Sequence, residues 1–538
     1  MIEATGDSPA IKIATDVPAA SWRLCTTEVA LLMLLFFVYA GDPPPMVNEA
    51  HYLVKAKNFW NPQWCANDLF AASGKAHTTF YALFGWPTLV LSLESTAWIG
   101  RFVGWLMLAV GLRQLTWRLI PRPWACLGVA VAWMAGIEHG NLAGEWVVGG
   151  IEAKVPAYGL VLMALSELTQ RHWGRVWILL GAASAFHVLS GGWAVIAAMI
   201  TWCLTELPRQ DRPRFFTPAL FTGGSIALFG LLPALWLTSG ASSEDSLAAA
   251  RIYAYFRIKH HLLPANFLWS WYVRHAVLIA MTAGLTFYFY RRSRSDSWNR
   301  IYAFTLGAVA IAVVGLGVGT LPSIAPDLGA KLLRYYWFRL TDAIVPLTFA
   351  LLVMRSLADR DAVTRSVATI GLVCAIGLVA AGAFDRGRLG VPPSVSNRLL
   401  GWDGDASPEQ QRAVFADWLA VCDWAETATP HDAVFLTPRH QQTFKWYSQR
   451  SEVVNWKDVP QDATSLREWY RRFRDVFPRR LGTVRVTIQY RQLREFRKRY
   501  GARLMIVDRR VTGKHLPLVK LYPRGNETNE TYAVYEIP

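Results

Sequence analysis

Charge is what this sequence has least of. Only 17% of its 538 residues are Asp, Glu, Lys or Arg while 53% are hydrophobic, a balance outside the ordinary range for a soluble globular chain of this length. Acidic residues are scarcer than basic ones, 39 against 55 for a net charge of +16. In a chain of many apolar runs such an excess belongs on cytoplasmic loops and beside lipid phosphates, so nucleic acid is a poor partner. The six cysteines, Cys25, Cys65, Cys126, Cys203, Cys374 and Cys422, show no pairwise metal spacing, and most lie in apolar stretches that suit a small buried hydrophobe. No strong metal motif and no disulfide framework are expected, and a single Cys65–Cys422 bridge is the one pairing that a shared external side would allow. No internal repeat is visible. No cleavable signal is evident either: the first long apolar run begins near Glu28, after a polar leader, and the first helix is expected to stay as an anchor.

What is present is apolar length. Runs suited to crossing about 30 Å of hydrocarbon occur near 28–41, 94–112, 123–137, 153–168, 174–188, 190–206, 216–238, 271–290, 301–319, 337–355 and 366–384. The 25 Trp and 19 Tyr suit interfacial anchoring at many such spans. About eleven membrane helices are therefore expected. Every second loop is basic, holding Arg113, Arg118 and Arg122, then Arg171 and Arg175, then Arg209, Arg212 and Arg214, and so on through Arg291–Arg294 and Arg355–Arg365. This alternation places the amino terminus in the cytoplasm and the tail outside.

The expected organisation is a cytoplasmic leader (1–27), a transmembrane domain (28–385) with a large external first loop (42–93), and an external, periplasmic soluble α/β domain (386–538). Within the first loop, Asn48 to Trp60 reads as helical, and Thr78 to Leu93 as an apolar piece lying along the surface. In the tail, Ala433–Leu436, Leu504–Val507 and Tyr532–Ile537 read as strands between helical segments. Residues 465–510 hold 15 Lys or Arg against 4 Asp or Glu, either a face for anionic headgroups or a solvated basic helix pair.

Chemistry-bearing residues gather in the external loops. The first, GDPPPMVNEAHYLVKAKNFWNPQWCANDLF, supplies Asp42, Glu49, His51 and Asp68 next to a span. A carboxylate at the mouth of an apolar cavity has a raised pKa and can take a proton from an attacking hydroxyl. Glu49 is the best placed by sequence, with a surface-helix cap as its bland alternative. The second, EHGNLAGEWVVGGIEAKVPAY, offers Glu138, His139, Glu145, Glu152 and Lys154, where an ionisable pair near membrane depth is costly unless paired or used. The third, RIYAYFRIKHHLLP, packs Arg257, His260 and His261 before a span, cations that can grip a phosphate or simply snorkel. Adjacent His260 and His261 are expected on different sides of a helix, which disfavours a shared metal. Arg334 and Arg339 lie at the outer end of the tenth run, five residues apart, so that at most one is expected to point inward. His187, in an outer turn, is a weaker binder candidate.

The layout resembles that of the polytopic C-type (GT-C-like) membrane glycosyltransferases, and NEAHY (Asn48–Tyr52) and FRIKHHLLP (Phe256–Pro264) resemble recurring pieces of a bacterial branch of that superfamily. The resemblance implies sugar transfer from a polyprenyl-phosphate donor to a glycan, lipid or protein acceptor on the external face of a bacterial inner membrane. It gives Glu49 the acidic role and Arg257, His260, His261 and Arg334 the phosphate. Many relatives have two adjacent acidic residues in that loop where this chain has Asn48 beside Glu49, which leaves Asp42 or Asp68 to stand in as the second carboxylate. His51, Glu152 and Lys154 complete the candidate binding set; a metal ligand set is not assigned and the cofactor stays open. Two further classes compete: a lipid or sugar transporter or flippase, which requires mid-span charges and repeats, and an inactive scaffold of the same fold, which tolerates loss of Glu49.

Overall fold

The computed structural model describes residues 20–46, 48–391, 406–477 and 489–538. Most of the expected leader, and part of the basic 465–510 stretch, lie outside the described residues. The polypeptide begins with α1 (Trp22–Ala40), capped by Ser21, and then leaves the bundle for a loop that folds into α2 (Glu49–Trp60), α3 (Leu69–Ala72) and α4 (Thr78–Gly85). At eight residues α4 is far too short to cross a bilayer. The bundle resumes with α5 (Leu93–Leu119), α6 (Ala125–Gly140), α7 (Lys154–Thr169), α8 (Trp173–Phe186), α9 (Val188–Thr205) and α10 (Pro218–Ser239). A second excursion from the bundle carries α11 (Ser243–Arg251), a π-helical turn (Ile252–Arg257) and the single turn α12 (Lys259–Leu262). There follow α13 (Trp269–Arg292), α14 (Asp296–Val318), the short α15 (Pro326–Leu333), α16 (Arg339–Ser356) and α17 (Ala362–Leu389).

Each of the eleven apolar runs of the sequence coincides with one of these helices. Among the described residues, six helices are long and apolar enough to cross a membrane: α1, α5, α9, α10, α14 with its extension to Ser323, and α17. The chain is an integral membrane protein. Helices α10 and α17 bury little of their surface and expose Phe229, Trp236, Val367 and Ile370, as lipid-facing elements do. The interior is held by close backbone approach, since lipid tails compete with any apolar side chain for contact. α5 packs on α7 and α8 on α10. A Cβ on Gly111 of α5 would come within 2.8 Å of the Gly159 carbonyl of α7, so this crossing tolerates no side chain. Two buried indoles tie helices to neighbouring backbone, Trp105 donating to Gly149 O (2.8 Å) and Trp133 to Ala343 O (2.9 Å).

The tail forms a five-stranded mixed sheet from β1 (Val434–Leu436), β2 (Ser451–Glu452), β3 (Ala502–Asp508), β4 (Lys520–Tyr522) and β5 (Tyr532–Glu536), in the order β2-β1-β3-β5-β4. β1 runs parallel to β2 and β3; β5 runs antiparallel to β3, pairing Met505 with Tyr535, and to β4. Three strands fall where the sequence placed them. β2 and β4 are too short to leave a period-two signal. One face is covered by α18 (Pro408–Ala428) through Trp418, Val421 and Ala425; α20 (Ala463–Val476) covers the other through Leu466, Trp469 and Phe473, and α21 (Tyr490–Tyr500) through Leu493. Between β1 and β2 lies α19 (Phe444–Ser448).

The tail is joined to the loop between α1 and α5 through buried charge. Lys445 of α19 is 1% exposed and sends its ammonium to Glu452 (2.6 Å), Asp458 (2.7 Å) and Asp68 (3.2 Å). Gln449 Oε1 accepts from Lys57 Nζ (2.7 Å) and Trp64 Nε1 (2.9 Å), and Asp462 accepts from Gly74 N (3.0 Å). These contacts bring the 456–462 segment of the tail over the end of the bundle from which the first loop emerges.

Candidate active-site cavity

A cavity of about 290 Å³ lies where three loops of the bundle meet the tail. Its walls are the start of α2 (Asn48, His51, Tyr52), the loop from Ala143 to Lys154, the π-helical turn and α12 (Tyr253, Arg257, His260, His261), Tyr336 and Arg339 at the entry to α16, and Lys457 to Gln461 from the tail. The second loop is shaped by Asp342, fully buried in α16, whose carboxylate accepts the backbone N–H of Leu142 (2.7 Å) and Ala143 (2.8 Å). His261 Nδ1 donates to Ala143 O, joining α12 to the same loop. The π turn widens the helix by one residue and presents both Tyr253 and Arg257 to the cavity.

The charges inside are partly matched and partly open. Glu145 bridges Lys154 Nζ (2.8 Å) and Arg339 Nε (2.7 Å). Glu152 is 2% exposed; Asn48 Nδ2 donates to its Oε1 (2.6 Å) and Lys154 Nζ stands 3.9 Å from its Oε2. Burial raises the Glu152 carboxyl above the usual range, with Lys154 and the Asn48 hydrogen bond pulling the other way. Burial lowers all three cavity histidines, His261 to about 4 and His51 and His260 in the same direction, so they are neutral at pH 7. Arg257 donates its Nε to Trp456 O (2.8 Å) and stacks 4.6 Å above the Trp456 ring, while its two terminal nitrogens donate to no partner among the described residues. Lys457 has no carboxylate in ion-pair reach among the described residues, and burial first, then Arg257, brings its ammonium down to about 8. The cavity therefore opposes a desolvated carboxylate to two cations with unused donors, an arrangement able to accept a proton from one group and hold an anionic one.

Eight of the residues singled out in the sequence meet here: His51, Glu145, Glu152, Lys154, Arg257, His260, His261 and Arg339. Glu49 does not line the cavity. It is 0% exposed one turn below the wall, where Arg101 grips both carboxylate oxygens (Nε–Oε1 2.6 Å) and the N–H groups of Met46 (2.7 Å) and Ile151 (2.7 Å) complete its shell. A saturated carboxylate has no lone pair free for an incoming hydroxyl, which corrects its assignment as the base. Asp68 is likewise committed, capping α3 at Ala71 N (2.8 Å) and pairing with Lys445. Asp42 lies beside Arg386 at 3.9 Å and the Arg334 guanidinium sits 5.7 Å from the centre of the Tyr253 ring, both outside the lining. Neither is placed to serve as second carboxylate or phosphate ligand. Of the two arginines at the head of α16, Arg339 is the one that enters. His260 and His261 both face the cavity with ring centroids 4.2 Å apart, contrary to the expected divergence, because α12 is a single turn that ends in an extended residue. His187 caps α9 at Ser190 N (3.1 Å) and receives Arg339 Nη1 (3.0 Å) from outside the lining. Lys457 was missed: it lies in a mixed WKD stretch with no periodic signal and reaches the cavity only through the docking of the tail. Among the described residues no group of three or more His, Cys, Asp or Glu is placed to hold a metal ion.

A model for a domain of unknown function (DUF6798) matches residues 416–476, from within α18 to the end of α20, the stretch that includes Lys457 and Asp458. No curated protein matches the sequence. Among solved structures the chain is similar to the oligosaccharyltransferase of Archaeoglobus fulgidus in complex with zinc and sulfate, with a TM-score of 0.42 and 11% identity over 89% of this chain and 67% of that one. It is also similar to ArnT from Cupriavidus metallidurans, both bound to undecaprenyl phosphate (TM-score 0.41, 14% identity, 96% of this chain and 99% of that one) and in the apo state (0.40, 14%, 95% and 97%). Likenesses at these scores do not bear on chemistry, and the reading of the cavity rests on its own residues.

Proposed function

We propose that the chain is a membrane glycosyltransferase that moves a sugar from a polyprenyl-phosphate donor to an acceptor hydroxyl in this cavity, on the external face of a bacterial inner membrane. In this reading all eleven helices cross, the amino terminus is cytoplasmic and the tail is a periplasmic domain. The observation that carries it is the juxtaposition of Glu152, buried and with one oxygen facing Lys154 at 3.9 Å, with Arg257, whose two terminal nitrogens donate to no partner among the described residues, and Lys457, which has no carboxylate in ion-pair reach among them. Glu152 takes the acceptor proton as the new bond to the anomeric carbon forms, and the bond from that carbon to the phosphate oxygen breaks. Polyprenyl phosphate leaves with the electron pair, its charge met by Arg257 and Lys457, while Lys154 spans the acidic and phosphate sides. His51, His260 and His261, neutral, serve as hydrogen-bonding groups around the sugar.

Release of free polyprenyl phosphate from a panel of polyprenyl-phosphate sugars, measured in nanodiscs, tests the reading. Glu152→Gln is expected to lose turnover and keep donor binding; Arg257→Ala is expected to weaken donor binding. Turnover that survives Glu152→Gln removes the carboxylate from the mechanism. Absence of turnover by the wild type with every donor favours transport or scaffolding.

A further inference from the structure

The helices α13 and α14 follow one another in the chain but pack on different partners, α13 on α6 and α16 and α14 on α7, α9 and α16. Between them runs a cleft of about 700 Å³, floored by Val345 of α16 and closed at one end by the Leu204–Arg209 segment after α9. It lies on the opposite side of the bundle from the cavity above, because α16 enters at Arg339 beside that cavity and leaves near Arg355, which donates to Tyr302 (3.0 Å) close to the cleft.

The chemistry of the cleft changes along its length. Along it stand Ile279, Leu306, which is 56% exposed, and Val309, and two of the hydroxyls beside them are already spent: Thr282 donates to Leu278 O (2.7 Å) and Thr305 to Ile301 O (2.8 Å). Methyl groups remain, and a water molecule placed there finds too few partners to stay. At the mouth the surface is polar and of both signs, with Arg209 paired to Asp296 at 2.6 Å and the two side chains 32% and 56% exposed. Arg300, the second cation of the lining, is committed to Glu206 (3.1 Å) and Thr169 O (3.1 Å), so the apolar slot between two membrane helices ends at headgroup level in one available cation, Arg209, and one anion, Asp296, complementary to an upright lipid whose headgroup also carries both charges.

We propose that this cleft holds the acyl chain of a bilayer glycerophospholipid bearing a phosphoethanolamine-type headgroup, in the leaflet opposite the candidate active site. The phosphate takes Arg209 and the ammonium takes Asp296, so that one ion pair opens into two charge-assisted contacts. The lipid is a wedge for α13. That helix carries, at its other end, Arg274 and His275, which bond Asn141 O (2.8 Å) and Gly140 O (2.8 Å) and so support the loop leading into the active-site cavity.

The test is native mass spectrometry of the full chain released from mild detergent. Wild type is expected to retain one phospholipid, enriched in the amine headgroup relative to the source membrane. Ala283→Trp fills the slot with an indole and is expected to lose that lipid while keeping its elution volume and melting temperature; Leu306→Phe serves the same purpose if the first variant does not fold. Asp296→Asn is expected to keep the lipid and lose the amine preference. Wild type that retains no lipid, or a folded slot-filling variant that retains as much as wild type, overturns the site. Equal retention of phosphatidylglycerol and phosphatidylethanolamine by wild type overturns the headgroup assignment.

Discussion

Neutralising Glu49 separates a structural carboxylate from a catalytic one. Arg101 and Glu49 are both fully buried, the guanidinium giving Nε and Nη2 to the two carboxylate oxygens and Nη1 to Asp42 O. In Glu49→Gln the cation keeps its position and loses its counter-charge in a place without water, and the new amide turns a donor toward other donors. Removing one partner of such a pair costs about 3–5 kcal/mol, whereas replacing both is far less damaging. Denaturation in detergent, followed by tryptophan fluorescence, is therefore expected to show Glu49→Gln destabilised by about that amount and Glu49→Gln with Arg101→Met substantially recovered. Any lost turnover in the single variant should track the folded fraction. A Glu49→Gln protein as stable as wild type, to within about 1 kcal/mol, that has nonetheless lost turnover would refute the argument and return the base to Glu49.

Lys445→Met strands three carboxylates, Asp68, Glu452 and Asp458, around an apolar side chain; a cost of about 3–5 kcal/mol and faster proteolytic separation of the tail are expected, checked by limited trypsinolysis. Gly150→Ala drives a methyl to 2.6 Å from the Glu49 carboxyl carbon and is expected to destabilise by about 1–3 kcal/mol, measured by the same denaturation. Donor affinity is expected to fall as pH rises through about 8, because Lys457 holds a phosphate only while protonated; titration from pH 6.5 to 9.5 (roughly 1.5 units either side) by scintillation proximity should show that limb vanish in Lys457→Met. On the acid side, turnover is expected to rise only above the ordinary carboxylate range, since the raised Glu152 must lose its proton before it can act; a rate already maximal near pH 4.5, where an ordinary glutamate titrates, is incompatible with Glu152 as base.

The sequence by itself determined the elements. Hydrophobic length and period are local properties, and so the eleven apolar runs, the helix from Glu49 and three of the five strands could be placed from the chain alone. It also placed the chemistry in the right loops, since ionisable residues next to spans are rare enough to be noticed one by one. Only the tertiary structure decided which of those residues face each other. Glu49 and Glu152 carry the same side chain near the ends of two different loops, and nothing local separates them. One meets Arg101 of α5 and the Ile151 N–H and is saturated, the other meets a cavity, and that difference is set by packing across 52 and 102 residues of chain. Lys457 lay beyond reach for the same reason, because the fifth wall of the cavity exists only when Lys445 has drawn the tail onto the first loop by pairing with Asp68, more than 370 residues earlier in the chain.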